Sequence, residues 1–350
     1  MSSRVTCTVH HSISSRLIKI LDGSPVEQIL LESCRNVRQV RRPRPFGLPG
    51  VRSTLDDAPG ERLHILCSSD HTEELIHLLA REAQLKLPGR GSIIQQQVQI
   101  YTPESPQPVK MKSPKLSQIT CILSDSGAGE ETAEVILALG IGVPVVTRGI
   151  GTGIRDRLGL LRITIPPEKE LVHCVVPTHD AGGIMQLIIE QAHLDRPGGG
   201  FLYQTPVELG VVDSRMIIGP QEYAASIEQI IAAVDDLKGD TSWRKRYIEP
   251  KLLKFPLLSR QWEITISCME GLSNTLIKAA MNAGAGGATI TRMQRTDIGE
   301  FGAWERITCI AAEGSSAKIL KALSTASGSL GSSVGPIEVL EVPRAYSFGS

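Results

Sequence analysis

Aromatic side chains are scarce, at 4% of 350 residues, so the core of this chain must be largely aliphatic. Net charge is absent as well. Lys plus Arg number 37 and Asp plus Glu 37, a balance that exerts no global pull toward DNA, RNA or an anionic membrane. No apolar run approaches the ~20 residues a membrane helix needs, so membrane insertion is not expected. Met1 to His11 is short, polar and mixed, unlike an export signal. The seven cysteines include no CxxC and no close pair, which fits reduced thiols in a cytoplasmic protein. HxH and HExxH are missing, so zinc spacing is too, and no metal site is assigned.

What the chain does have is length, a 41% hydrophobic content and self-similarity. Three segments share one order of signals. Each opens with a short strand carrying a hydroxyl residue and cysteine: Thr6-Cys7, Thr120-Cys121, Ser267-Cys268. A helical stretch, a second strand and a polar or glycine-rich excursion follow. A third strand again centres on cysteine, at Cys67, Cys174 and Cys309. Then come a second helix, a glycine-containing loop (Gly89 and Gly91, Gly198 to Gly200, Gly331 to Gly335) and a closing strand. The order β-α-β-β-α-β is the ferredoxin-like unit. Alternation supports the strands: Val5, Cys7 and Val9 share one face, while Thr6 and Thr8 lie on the other.

The expected fold class is therefore α+β, as three tandem ferredoxin-like domains forming an intramolecular pseudo-trimer. Its boundaries are 1–102, 116–218 and 261–345. Residues 103–115 read as a Pro/Lys linker, and 219–260 as a linker with an amphipathic helix from about Gln221 to Leu237. A ferredoxin-like sheet has helices on one face only. Closing three sheets around an axis covers the other, and fusion removes the association entropy.

The middle segment resembles the nitrogen-regulatory PII signalling family. The best stretch is Lys169 to Glu208, KELVHCVVPTHDAGGIMQLIIEQAHLDRPGGGFLYQTPVE, with Val145 to Gly151 (VVTRGIG) upstream. The resemblance implies a trimeric arrangement with inward-facing sheets. ATP or ADP would bind in the clefts between units as effector, and a loop would dock on a regulated partner protein. It maps Gly149 and Gly151 to the base of that loop, and Gly198 and Gly200 to the phosphate-facing loop. Arg215 is what remains of the family's basic residues after the last strand. Arg148 is added to the ligand-binding set, and Arg155 and Arg157 read either as an anion clamp within it or as a solvated loop whose charges pair with each other. Phe201 stands where the family carries lysine, with Ser92 and Pro336 at the matching places of the other segments.

The remaining features admit two readings each. The aligned cysteines lie beside Val, Ile and Leu, as small buried hydrophobes do; Cys34 is outside the pattern and is expected to be the solvent-reachable thiol. His173 lies on the strand face away from the cysteines and is placed toward the interior. Ser124 to Glu130 (SDSGAGE) reads as a helix cap or an anion cradle. Arg35 to Arg44, with five arginines, reads as an exposed loop or a docking patch. Two functions follow. One is a PII-like regulator of small anionic effector and partner. The other is an enzyme that adapted one cleft, with His173, His179, Asp180 and Glu168 as acid–base candidates. A scaffolding role through the linker helix is the third reading.

Overall fold

The computed structural model describes residues 2–43, 51–104, 114–138, 140–153, 168–213, 217–218, 234, 237, 254–297 and 302–349. For 38–43, 51–57, 153 and 217–218 it describes the backbone alone. The linker helix, save positions 234 and 237, and Arg155, Arg157 and Arg215 lie outside the described residues.

The architecture is mixed α/β, with six α-helices among the described residues and one large sheet that is antiparallel except for one short edge pairing. The first segment runs β1 (Ser2–His10), α1 (His11–Leu21), β2 (Val26–Pro43), β3 (Val51–Ser68), α2 (Thr72–Glu82) and β4 (Gly91–Ile100). The second runs β5 (Leu116–Leu123), α3 (Ala128–Ala138), β6 (Val145–Gly153), β7 (Glu168–Pro177), α4 (Ala181–Gln191) and β8 (Gly200–Val207). Two short strands follow, β9 (Leu209–Val211) and β10 (Ile217–Ile218). The third runs β11 (Gln261–Met269), α5 (Ser273–Asn282), β12 (Gly287–Arg295), β13 (Gly302–Ala312), α6 (Glu313–Gly328) and β14 (Val334–Val342), with β15 (Arg344–Ser347) after it. In every segment the first strand lies between the third and the fourth, and the third also pairs with the second.

Strand parity sorts the side chains. One face of each segment meets its two helices in an aliphatic core. In the first, Val5, Cys7 and Val9 pack with Leu17, Leu21, Ile76 and Leu79, and the other two segments repeat this. All seven cysteines are buried. Burial pushes the thiols of Cys7, Cys34, Cys174 and Cys309 up to about 12, so they stay protonated. Cys34 is thus not the solvent-reachable thiol expected. The reason is that Arg35 to Pro43 is not a loop: β2 continues through it in ladder with β3, and Cys34 sits opposite Gly60. The cysteines are also not equivalent by register. Cys7 pairs with Leu63 and Cys121 with Val172, but Cys268 pairs with Glu305. A slip of two residues preserves the face, which is why the pattern looked aligned.

The opposite faces of the three segments meet one another, and they are polar. Arg4 Nη2 donates to Glu263 Oε1 at 2.7 Å and its Nη1 to Glu338 Oε2 at 3.4 Å. Arg62 donates to Glu32 at 3.0 Å. Arg306 Nη1 donates to His64 Nδ1 at 3.0 Å, which fixes His64 Nε2 as the donor to Glu32 at 2.9 Å. His173 hydrogen-bonds with Thr120 and Thr147, at 3.2 Å each. Tyr203 links Thr120 to Glu263. A cavity of about 60 Å³ lies among these groups, lined by all three segments.

Sheet edges join the segments too, where separate sheets were expected. The end of β4 pairs with β14, β9 pairs with β4, and β15 pairs with β8. The second strands β2, β6 and β12 pair with each other in all three combinations. The continuous sheet therefore closes on itself, with short seams of two to four residue pairs.

Two outcomes follow. Arg4→Met leaves Glu263 without its principal partner in a dry interior and should cost about 3–5 kcal/mol in urea unfolding; no loss would mean the pairing is not formed. Burial and the neighbouring arginines push His64 down from 6.5 to about 3, and burial pushes His173 well below its ordinary value. Below pH 6.5 the unfolded chain therefore binds protons that the native state refuses. Stability should be full above that pH and fall as acid is added, by up to about 1.4 kcal/mol per pH unit for each histidine. His173→Gln should flatten the profile; a wild-type profile flat down to pH 5 would contradict neutral buried imidazoles.

Candidate functional site

A cleft of about 870 Å³ forms where the second strands of the three segments converge. The first segment contributes Glu32 to Arg35 from β2. The second contributes Ser124 to Ser126, Val146 to Ile150 and Glu168 to Glu170. The third contributes Ile290 and Arg292 from β12. The ladders explain the convergence: Arg35 pairs with Val146, and Ile150 with Ile290. The wall is mixed in charge. Lys169 Nζ donates to Ser124 Oγ at 3.2 Å. Arg148 and Arg292 are exposed and make no ion pair with a described residue.

One corner is an internal anion cradle. Glu170 Oε2 accepts the backbone N–H of Gly127 at 3.1 Å and of Gly129 at 2.8 Å, at the start of α3. Arg35 of the first segment grips Glu130 and, at 3.3 Å, Glu170. The SDSGAGE loop therefore does cradle an anion at the helix start, but that anion is a side chain of β7. A glutamate also reaches the first helix of the other two segments: Glu305 accepts Gly271 N–H at 3.1 Å just ahead of α5, and Glu61 accepts the Ser14 hydroxyl of α1. Glu61, Glu170 and Glu305 face Val9, Leu123 and Cys268 at the ends of the three first strands. Register thus gives a true equivalence among the segments.

On that equivalence His64, His173 and Thr308 each stand three residues after their strand's Glu, and Thr6, Thr120 and Thr265 face them. His64 was missed in the sequence reading. Its signal was there: the same inward parity as His173 and the same distance from a strand acid.

The candidate residues divide as follows. Arg148, Gly149 and Glu168 line the cleft; Gly151 follows Ile150 on β6, with the Lys169 side chain against it. Gly198 and Gly200 lie at the same end of the second sheet without lining the cleft. Gly149 faces Lys169, Glu170 faces Leu123, and Leu123 faces Gly200, a row of three strand spacings or about 14 Å. The acid–base candidates do not converge. Glu168 opens β7, His173 lies midway on its inner face, and His179 and Asp180 follow its far end. At about 3.3 Å per residue the ends are roughly 30 Å apart. His179 Nε2 stands 3.4 Å from Asp180 at the start of α4, away from the cleft. Among the described residues no group of three or more His, Cys, Asp or Glu is placed to hold a metal, and no helix is long and apolar enough to cross a membrane.

Glu170→Gln should remove the carboxylate that Gly127, Gly129 and Arg35 share. The expected loss is about 1–3 kcal/mol, with faster amide exchange confined to the first turn of α3. Unchanged exchange there would show that the cradle does not hold the helix start.

Comparison with known proteins gives the following. No family model and no curated protein matches the chain. Among solved structures it is similar to B. subtilis GlnK and to a B. subtilis GlnK–ATP complex. Identity is 14% in both, with 28% of this chain covered against 88% and 87% of theirs, and a TM-score of 0.24.

Proposed function

We propose that this chain is a PII-like regulatory protein: three ferredoxin-like units closed into an intramolecular pseudo-trimer. It binds a small anionic effector between the units and passes its state to a partner through loops. The observation that carries this reading is the cleft of about 870 Å³ fed by strands of all three segments, with Arg148, Gly149 and Arg292 in its wall. A cavity of that size accommodates a nucleotide, and exposed arginines without ion-pair partners among the described residues suit phosphate. ATP or ADP is the first effector to try. In this reading Gly198 and Gly200 serve the phosphate end, about 14 Å along the same sheet edge from Gly149. The three helix-covered cores support three units, for which we keep the bounds 1–102, 116–218 and 261–345, although Val37 and Tyr346 pack into the middle core. The spread of His173, His179, Asp180 and Glu168 along a whole strand gives the enzyme reading no observation of its own.

Isothermal titration of ATP and of ADP into the folded protein tests the proposal. Saturable heat is expected, with affinity reduced at least about tenfold in the Arg148→Ala/Arg292→Ala double variant. Both side chains are exposed, so its stability should stay within about 0.5 kcal/mol of the parent. No heat with either nucleotide would remove the nucleotide version.

A further inference from the structure

The glycine loop after the second helix is present in two segments with one geometry. Gln84 and His193 end the helices with φ of 56° and 53°. Seven residues on, Gly91 and Gly200 have φ of 123° and 144°, preceded by Gly89 and Gly198 at 73° and 81°. A Cβ at Gly91 would stand 2.0 Å from the Thr8 carbonyl oxygen, and one at Gly200 2.1 Å from that of Ile122. Only glycine fits at these places. Successive amides in such loops form an anion-binding concavity. In the third segment the equivalent position, opposite Cys268, is Val334.

The first of these loops is already filled. Asp213, two residues beyond β9, accepts Gly89 N–H at Oδ1 (2.8 Å) and Gly91 N–H at Oδ2 (3.2 Å). Two amides gripping two carboxylate oxygens is how the loop would hold a phosphate. Asp213 comes from the second segment: β9 pairs with β4, Val211 opposite Ile93, and the register carries Asp213 to Gly91. A small cavity beside it of about 30 Å³ is also lined by Arg62, whose Nε–H is buried without a partner. At the next seam β15 pairs with β8, Tyr346 opposite Leu202, and the same register carries Phe348 to Gly200. Phe348 is exposed, and no described carboxylate reaches Gly198 or Gly200.

We infer that Asp213 is a built-in pseudo-ligand that closes the Gly89–Gly91 loop to external oxyanions, so that of the two glycine loops only Gly198–Gly200 is left to take a phosphate. The inference deepens the effector reading, but its central test is a site gained, which does not depend on what the native effector is.

The test is titration of inorganic phosphate into the full chain carrying isotope-labelled glycine, followed through the backbone amide signals. In the parent, Gly198 and Gly200 should shift while Gly89 and Gly91 stay still. In Asp213→Ala, Gly89 and Gly91 should respond as well, at least about tenfold more strongly than in the parent. In Phe348→Asp, the response of Gly198 and Gly200 should be lost. Should Asp213→Ala not fold, Asp213→Asn replaces it, with a smaller gain expected because one acceptor oxygen remains. Gly89 and Gly91 shifting equally in the parent, or staying silent in a folded Asp213 variant, would overturn the inference. A gained phosphate site alongside a parent that ignores ATP and ADP would instead sink the nucleotide version of the effector reading and leave this one standing.

Discussion

The arginine at position 4 holds the molecule to one arrangement. It is buried, as are its two acceptors, Glu263 and Glu338, which lie 259 and 334 residues away. A buried ion pair contributes little net stability against a hydrophobic alternative, because stripping water from both charges offsets most of their attraction. Leaving any one of the charges alone is far more costly. Arg62 and Glu32 pair within the first segment, but Arg4 has no acid there, and the third segment offers its own acids only Arg306, 3.7 Å from Glu338. The first and third segments must therefore meet, and in one register, before Arg4 and Glu263 are paired. Burial alone would push the Glu32 carboxyl up; Arg62 and His64 overcome it and hold the group well below the usual carboxylate range. Arg4, with Arg306 beside it, does the same for Glu263.

That constraint accounts for the seams. A few ladder pairs between β4 and β14, or β2 and β6, could not by themselves select an interface. They follow once the polar faces are docked. The cleft then forms where it does because the three second strands are brought together at one end, while the apolar faces point outward to their own helices.

Much of this was legible in the sequence. Alternation of Val5, Cys7 and Val9 against Thr6 and Thr8 gave the strands and their faces, since parity is a local property. The helix-covered cores followed from it. The residues that make the interior were not legible as a network, because Arg4, Glu263, Glu338 and Arg306 come from distant strands and each reads singly as a surface charge. Alignment by cysteine was off by one pleat for the same reason that it looked good: shifts of two leave the face unchanged. The strand acids Glu61, Glu170 and Glu305 would have fixed the register, but a Glu at a strand end carries no signal until its amide partners are known. The arginines after Cys34 were read as an exposed loop or docking patch because composition cannot show that β3 supplies a continuous partner from Val51 onward.

Fusion of the three segments is what lets equivalent positions differ. A homotrimer repeats each residue at every seam, so an internal carboxylate in a glycine loop would fill all its loops or none. Here the register carries Asp213 to Gly91 and Phe348 toward Gly200, while the third segment has Val334 at the matching place. One loop joins glycine with an acid, one joins glycine with an aromatic, and the third has no glycine there. Only the second leaves amides facing outward with no described carboxylate to meet them. The same freedom operates at the buried centre: the position of Arg4 is Gln118 in the second segment and Glu263 in the third, so the central ion pair, like the filled loop, exists because a single chain need not repeat its residues.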